Sequence, residues 1–340
     1  MSLSSTGNSI IEYDRTIGLT AMEGRGFSNP VDLAISSGRR IYVLSRTNPT
    51  QTEGIRVGIC NLESDYFGEF GAYGTGDGQF VWPTALAFDS QDRLYLADEH
   101  SSRITIFDTA GGFVGKWGQQ GAAEGMLHGP AGLAFDANDN IYVSDHRNNR
   151  VQKFTKDGRF LLAWGSAGGG DGELNLPWGL CVASDGDVYV ADWRNDRIQR
   201  FTADGDFVST LGEPGGEVGR LNRPASVAVD ERGIVYVADW GNHRVVVFGP
   251  DGDALRTLRG EATLSPWASD FYRSNPDEKR ARDRAELEPA MTAEVESAYE
   301  ESARVEKYFW GPCSVKLDTD GRLYVTESTR HRVQVYRTRG

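Results

Sequence analysis

PAGLAFDANDNIYVSDHRNNRVQKFTKDGRFLLAWGSAGGGDGELNL, residues 130–176, reads as one complete structural unit, and most of the chain is that unit repeated. Within it GLAFD, NIYVSD, RVQKF and RFLLAWG are short apolar runs rich in Val, Ile, Leu and Phe, the pattern of half-buried strands. We label them a, b, c and d. ANDN and TKDG lie between them, and Asn, Asp and Gly tolerate the positive φ that closes a hairpin. The unit is therefore an antiparallel meander. A lone four-stranded sheet leaves two edges unpaired and two faces to bury, so it needs neighbours.

The neighbours follow at a fixed interval. Pro83, Pro130, Pro177 and Pro224 stand 47 residues apart, and each opens a stretch like PTALAFDSQDRLYLADEHSSRITIF. A strand-only repeat of this length predicts an all-β propeller. Two modified units complete it. The one at Pro30 carries Ser45 where the others end strand b on Asp98, Asp145, Asp192 and Asp239, and the one at Pro312 carries Glu327 there. That makes six blades, the last without a strand d of its own. Gly18 lies twelve residues before Pro30, as Gly71, Gly118, Gly165 and Gly212 lie before their prolines. Residues 10–19 are thus expected to be the outer strand of the last blade, closing the ring.

The repeat resembles the NHL repeat, most clearly in PASVAVDERGIVYVADWGNHRVVVF at 224–248. The resemblance implies a six-bladed β-propeller of four-stranded antiparallel blades over residues 10–340, with 1–9 a flexible N-terminus. By itself it implies no activity, because function sits in sites grafted onto a fold.

A net charge of −13 disfavours nucleic acid and anionic membranes as partners. The opening MSLSSTGNSIIEYD has no basic region followed by an apolar one, and no window reaches eighteen apolar residues. Cys60, Cys181 and Cys313 are scattered and odd in number, which fits a reducing, cytoplasmic setting.

In such a ring the b-to-c and d-to-a loops share one face, here called the loop face, and the a-to-b and c-to-d turns share the other, the turn face. Blade 1 carries extra residues within RTNPTQTEGI in its b-to-c loop, and Pro224 to Pro312 is 88 residues instead of 47. Both insertions therefore emerge on the loop face, where binding sites usually lie. Ser265-Pro266 and Asn275-Pro276 read as helix starts, and AMTAEVESAYEESARVEKYF as a third helix with Met291, Val295 and Tyr299 on one side. Residues 261–308 are expected to be a helical cap over the loop face, with packing on the rim as the alternative.

The strand-b acids are each followed five residues later by Arg103, Arg150, Arg197, Arg244 and Arg332, which predicts five structural ion pairs. DANDN and DTDG lack the ligand series of a calcium loop, and the Gly-rich loops lack the Lys-Ser/Thr of a phosphate loop. No metal site and no cofactor are specified.

The repeat stops repeating at the channel mouth. The columns after each strand-b acid and around each blade proline hold Arg46, Trp82, Arg147, Trp178, Trp193, Arg194, Arg223, Trp240 and Trp310, which include five of the eight tryptophans. Indoles with a few cations suit an organic ligand with an apolar body and a polar or anionic group. Glu99, His100 and His146 are candidates for proton transfer, and Cys313 for a nucleophile. His100, His128 and His146 are the one conceivable zinc set.

The peptide-amidating lyase, a propeller of similar repeats, holds zinc with histidines just after the strand-a prolines. Those positions are Val31, Thr84, Ala131, Trp178, Ala225 and Cys313 here, so that activity is not implied. Nor is there an inner ring of acid and amide ligands like that of the calcium-dependent propeller lactonases. The expectation is a propeller that binds a small organic ligand in a capped funnel, with hydrolase or lyase chemistry. The alternative is a protein-interaction scaffold on the same face, and RNA binding is disfavoured by charge.

Overall fold

Six prolines, Pro30, Pro83, Pro130, Pro177, Pro224 and Pro312, each begin the innermost strand of a four-stranded antiparallel sheet. Proline suits that place because the first residue of an edge strand needs no ladder N–H. The structure is a computed structural model that describes residues 10–47, 50–289 and 297–339. Blade 3 shows the pattern, with a at Pro130–Phe135, b at Asn140–Asp145, c at Arg150–Thr155 and d at Phe160–Trp164. Among the described residues no helix is long and apolar enough to cross a membrane.

The ring closes through its N-terminal segment. Ile11–Ile17 pairs antiparallel with Arg332–Thr338, from Ile11 opposite Thr338 to Ile17 opposite Val333. Gly18 follows at φ +119°, where a Cβ would meet His331 O and Arg332 Cα at 3.0 Å. Gly118 is held in the same way in blade 2, against Ser102 O and Arg103 Cα at 2.9 Å, so the closing strand repeats the geometry of an ordinary strand d. Residues 1–9 lie outside the described residues.

The core lies between blades. The residue three before each proline, Phe27, Phe80, Leu127, Leu174, Leu221 or Phe309, is at most 1% exposed and wedges the seam. Two polar devices fix the loops that carry these wedges. In the first, the strand-b acid and the strand-c arginine tie down the d-to-a loop. Asp239 accepts from Arg244 Nε at 2.7 Å and from the Asn222 N–H at 2.7 Å, while Arg244 donates to the carbonyls of Gly216, Glu217 and Arg220. Asp145 with Arg150, Asp192 with Arg197 and Glu327 with Arg332 do the same at 2.7–2.9 Å.

Blade 2 corrects the expected fivefold pattern. Asp98 spends its oxygens on the Val81, Trp82 and His100 N–H groups and the Ser101 hydroxyl, and makes no ion pair with Arg103. Arg103 still donates to Thr75, Gly76 and Gln79 carbonyls, but its buried Nε has no partner. Ser101 stands where blades 3 to 5 have Asn148, Asn195 and Asn242, whose longer side chains reach the d-to-a loop and leave room for the arginine.

The second device staples each blade to the next. The last residue of the b-to-c loop sits at φ near +50°, a region that Asn, Asp and His enter more readily than most residues. From there its side chain accepts the N–H of the residue before the next blade's proline. Asn149 Oδ1 takes Leu176 N at 2.9 Å, Asp196 Oδ1 takes Arg223 N at 2.7 Å, and His243 Nδ1 takes Gly311 N at 3.1 Å.

Among the described residues the insertion forms three helices, α1 Pro266–Ser274, α2 Pro276–Arg284 and α3 Ala298–Arg304. Ser265 caps α1 by accepting the Ala268 N–H at 3.1 Å. The buried Trp267 of α1 fills a slot between the outer strands of blades 6 and 1, against Phe27 and Tyr66, and donates to Ser64 O. The first helix is therefore drawn onto the rim, since its one large buried apolar side chain is seated there. The third ends at Arg304, earlier than its sequence pattern predicts, and Met291 and Val295 lie outside the described residues. Its Tyr299 reaches the loop face and stacks edge-on against Trp310 at 5.6 Å.

Candidate functional site

The six a strands bound two funnels along the ring axis, one on each face, with a neck between them. In the neck Asp32 accepts from the Leu86 N–H at 2.8 Å and the Ser314 hydroxyl at 2.5 Å, and lies 3.5 Å from Lys316 Nζ.

The loop-face funnel encloses about 310 Å³. Its walls include the Trp178, Trp193 and Trp240 indoles together with Arg46, Cys313, Thr84 and Ser328. Trp178 and Trp193 meet at 6.4 Å on blade 4, because one follows the strand-a proline and the other the strand-b acid of the same sheet. Of the residues expected at the site, the structure brings Arg46, Trp178, Trp193, Trp240 and Cys313 to this one cavity. Thr84, Ser328, Val31 and Ala225 join them from the same two columns, where small or apolar types gave no chemical signal. Among the described residues, none of the insertion lines the cavity.

Arg46 lies over the Trp82 ring at 4.6 Å, so Trp82 supports the site from behind. The one hydrogen bond of its guanidinium among the described residues is a long one, 3.4 Å from Nη1 to Pro83 O. Burial pulls its pKa below the ordinary arginine value, against the opposing pull of Glu99. A guanidinium has five donors in a planar fork, so this one is under-used.

Glu99 and His146 stand beside the cavity. Glu99 accepts from Arg147 Nη2 at 2.6 Å and lies 3.5 Å from His146 Nε2. Burial raises its pKa, but the His146 and Arg147 contacts more than offset this and hold it below the usual range. His146 is buried, its ring nitrogens lack a well-aligned partner, and its imidazole lies edge-on to Trp178 at 5.1 Å. Trp178 thus separates the histidine from the funnel.

The remaining candidates fall elsewhere. His100 is exposed, with its backbone N–H on Asp98. Arg194 and Arg223 are exposed and flank Trp193 at 5.1 and 5.3 Å. Trp310 packs against Arg330 and Tyr299. Burial pushes the Cys313 thiol up to about 12, with Asp32 adding to it, and Sγ donates to Pro30 O and Thr326 O. That is the wrong direction for a nucleophile, which must be a thiolate. Among the described residues no group of three or more His, Cys, Asp or Glu side chains is placed to hold a metal ion.

Ring, blade count and funnel together define a six-bladed β-propeller with a cavity on its loop face lined by indoles and one arginine. A model of the NHL repeat matches residues 127–154, 174–201, 221–248 and 309–336. The chain is an NHL-repeat propeller. No curated protein matches its sequence.

Solved structures of similar shape include a streptogramin B lyase, 12% identical with a TM-score of 0.55, covering 97% of this chain and 98% of that one. Another is a catalytically inactive histidine-to-alanine variant of virginiamycin B lyase from Staphylococcus aureus with quinupristin, 12% identical with a TM-score of 0.57, covering 96% and 99%. A nidogen/laminin complex matches at 16% identity and a TM-score of 0.51, over 67% of this chain and 79% of that one. At these identities the likeness is one of fold.

Proposed function

We propose that the loop-face funnel binds a small organic molecule with an aromatic or apolar body and one anionic group, and that the protein acts on it by lyase-type chemistry. The observation that carries the reading is Arg46, a guanidinium with one long hydrogen bond among the described residues, in a cavity walled by three indoles. A bound carboxylate would take its open donors in a two-bond fork, and the indoles would cover the ligand's faces. The His146 imidazole, 3.5 Å from the Glu99 carboxylate, would serve as general base once the Trp178 indole swings aside. The likeness to streptogramin B lyase supports the reaction class only as a chemistry that such a ring can host. Three unpaired cysteines fit a cytoplasmic setting.

A thermal-shift panel of aromatic and heteroaromatic carboxylates tests the proposal. We expect a binding compound whose affinity falls at least tenfold in Arg46→Gln and in Trp178→Ala, and whose turnover, followed by mass spectrometry, is lost in His146→Gln with binding retained. A compound that binds equally well to both funnel variants would place the site elsewhere and favour a protein-docking role for this face.

A further inference from the structure

The funnel on the turn face, about 320 Å³, is a second cavity that the proposed function leaves unused. The C-terminal halves of the six a strands wall it. Four residues after each blade proline stand Ala34, Ala87, Ala134, Cys181, Ala228 and Lys316, each paired across to a strand-b tyrosine such as Tyr142 or Tyr324. Five of these positions are small and uncharged, which keeps the cup open; the sixth places an ammonium in it. The next position outward is apolar in every blade and half-buried, from Ile35 and Phe88 round to Leu317, so the mouth is apolar.

Lys316 is not consumed by the fold. Its side chain is 25% exposed, and its partner is Asp32 at a long 3.5 Å. Asp32 already holds the Leu86 N–H and the Ser314 hydroxyl at short range. An ammonium has three donors, so most of its capacity faces the cup. A single cation in a cup whose other side chains are aliphatic, aromatic or thiol is complementary to an anionic head on an apolar tail. The volume equals roughly ten liquid waters at about 30 Å³ each, which limits the occupant to about ten non-hydrogen atoms.

We propose that the turn-face funnel is a binding site for a medium-chain aliphatic carboxylate of about eight carbons, its head on Lys316 Nζ and its tail along the alanine column. This does not depend on the loop-face reading. The test is calorimetric titration of the full-length protein with octanoate, with octan-1-ol as the uncharged counterpart. Octanoate should bind with a stoichiometry near one. Lys316→Gln should weaken octanoate at least tenfold and leave octan-1-ol unchanged, Ala134→Leu should block both by filling the cup, and Arg46→Gln should change neither. No octanoate binding by the intact protein, or binding that Lys316→Gln leaves unchanged, would overturn the proposal, as would binding sensitive to Arg46→Gln instead. Should Lys316→Gln fail to fold because Asp32 loses its counter-charge, Ala134→Leu decides alone, and octanoate affinity unaffected by it would refute the site.

Discussion

His331 Nδ1 accepts the Asn29 backbone N–H at 2.8 Å across the seam between the last blade and the first. It is the staple that Asn149 and Asp196 make elsewhere, placed at the joint where the ring closes on itself. A ring nitrogen can accept only while unprotonated, and burial lowers the His331 pKa. His243, its counterpart one blade earlier, is lowered to about 4 by burial and then by Arg259.

These depressed values make stability fall in acid. A histidine whose folded pKa lies below its unfolded one contributes stability that is complete above the unfolded value, near 6.5, and is lost as pH falls toward the folded value. The loss for His243 should be on the order of 1–3 kcal/mol between pH 6.5 and 4. His243→Asn keeps an acceptor like that of Asn149 and removes the titration. Its melting temperature should therefore fall less than the parent's between pH 7.5 and 4.5, and equal slopes would refute the assignment.

The closing strand should dominate terminal truncations. Removing residues 1–19 takes away Ile11 and Ile17, both 1% exposed, and bares the strand-c edge of blade 6. Removing residues 1–7 leaves that pairing whole. The longer deletion should melt several degrees lower or aggregate, and equal melting of the two would contradict closure by this strand.

Asp239→Ala should cost about 3–5 kcal/mol, because it leaves Arg244 buried without its counter-charge and frees the Asn222 N–H. Trp178→Ala, at the funnel wall, should cost on the order of 1 kcal/mol. Chemical denaturation of the two variants would show the order, and a reversal would mean that Trp178 serves chiefly to hold blades 3 and 4 together.

Trp267→Ala should cost roughly 3–5 kcal/mol as a large buried aromatic and loosen α1 from the rim. Because α1 does not line the loop-face cavity, any funnel ligand should keep its parent affinity under conditions where the variant remains folded. Hydrogen exchange would report the loosening; unchanged protection of 266–274 would show that the helix is anchored otherwise.

The sequence by itself determined the ring. Strand period and polar turns are local and recur from blade to blade, and a constant interval joins Pro83, Pro130, Pro177 and Pro224, so the blades are legible from their own residues, and Gly18 marks the closing strand because only glycine tolerates that φ beside strand c. It also flagged the positions around the loop-face mouth, after each strand-b acid and on either side of each proline, since a broken repeat is visible as a change of residue type. What it could not give was which members converge. Arg194 and Arg147 occupy the same column, yet one flanks Trp193 from outside while the other reaches across a blade to Glu99, a choice made by side-chain rotamers and neighbouring loops. The failure of the Asp98 and Arg103 pair has the same origin, because Ser101 competes for Asp98 at a position where the other blades put asparagine. Only the tertiary structure set α1 on the rim, since the slot for Trp267 exists only once blades 6 and 1 have met. Local patterns fix elements; contacts between residues hundreds of positions apart, such as His331 with Asn29, are decided by closing the ring.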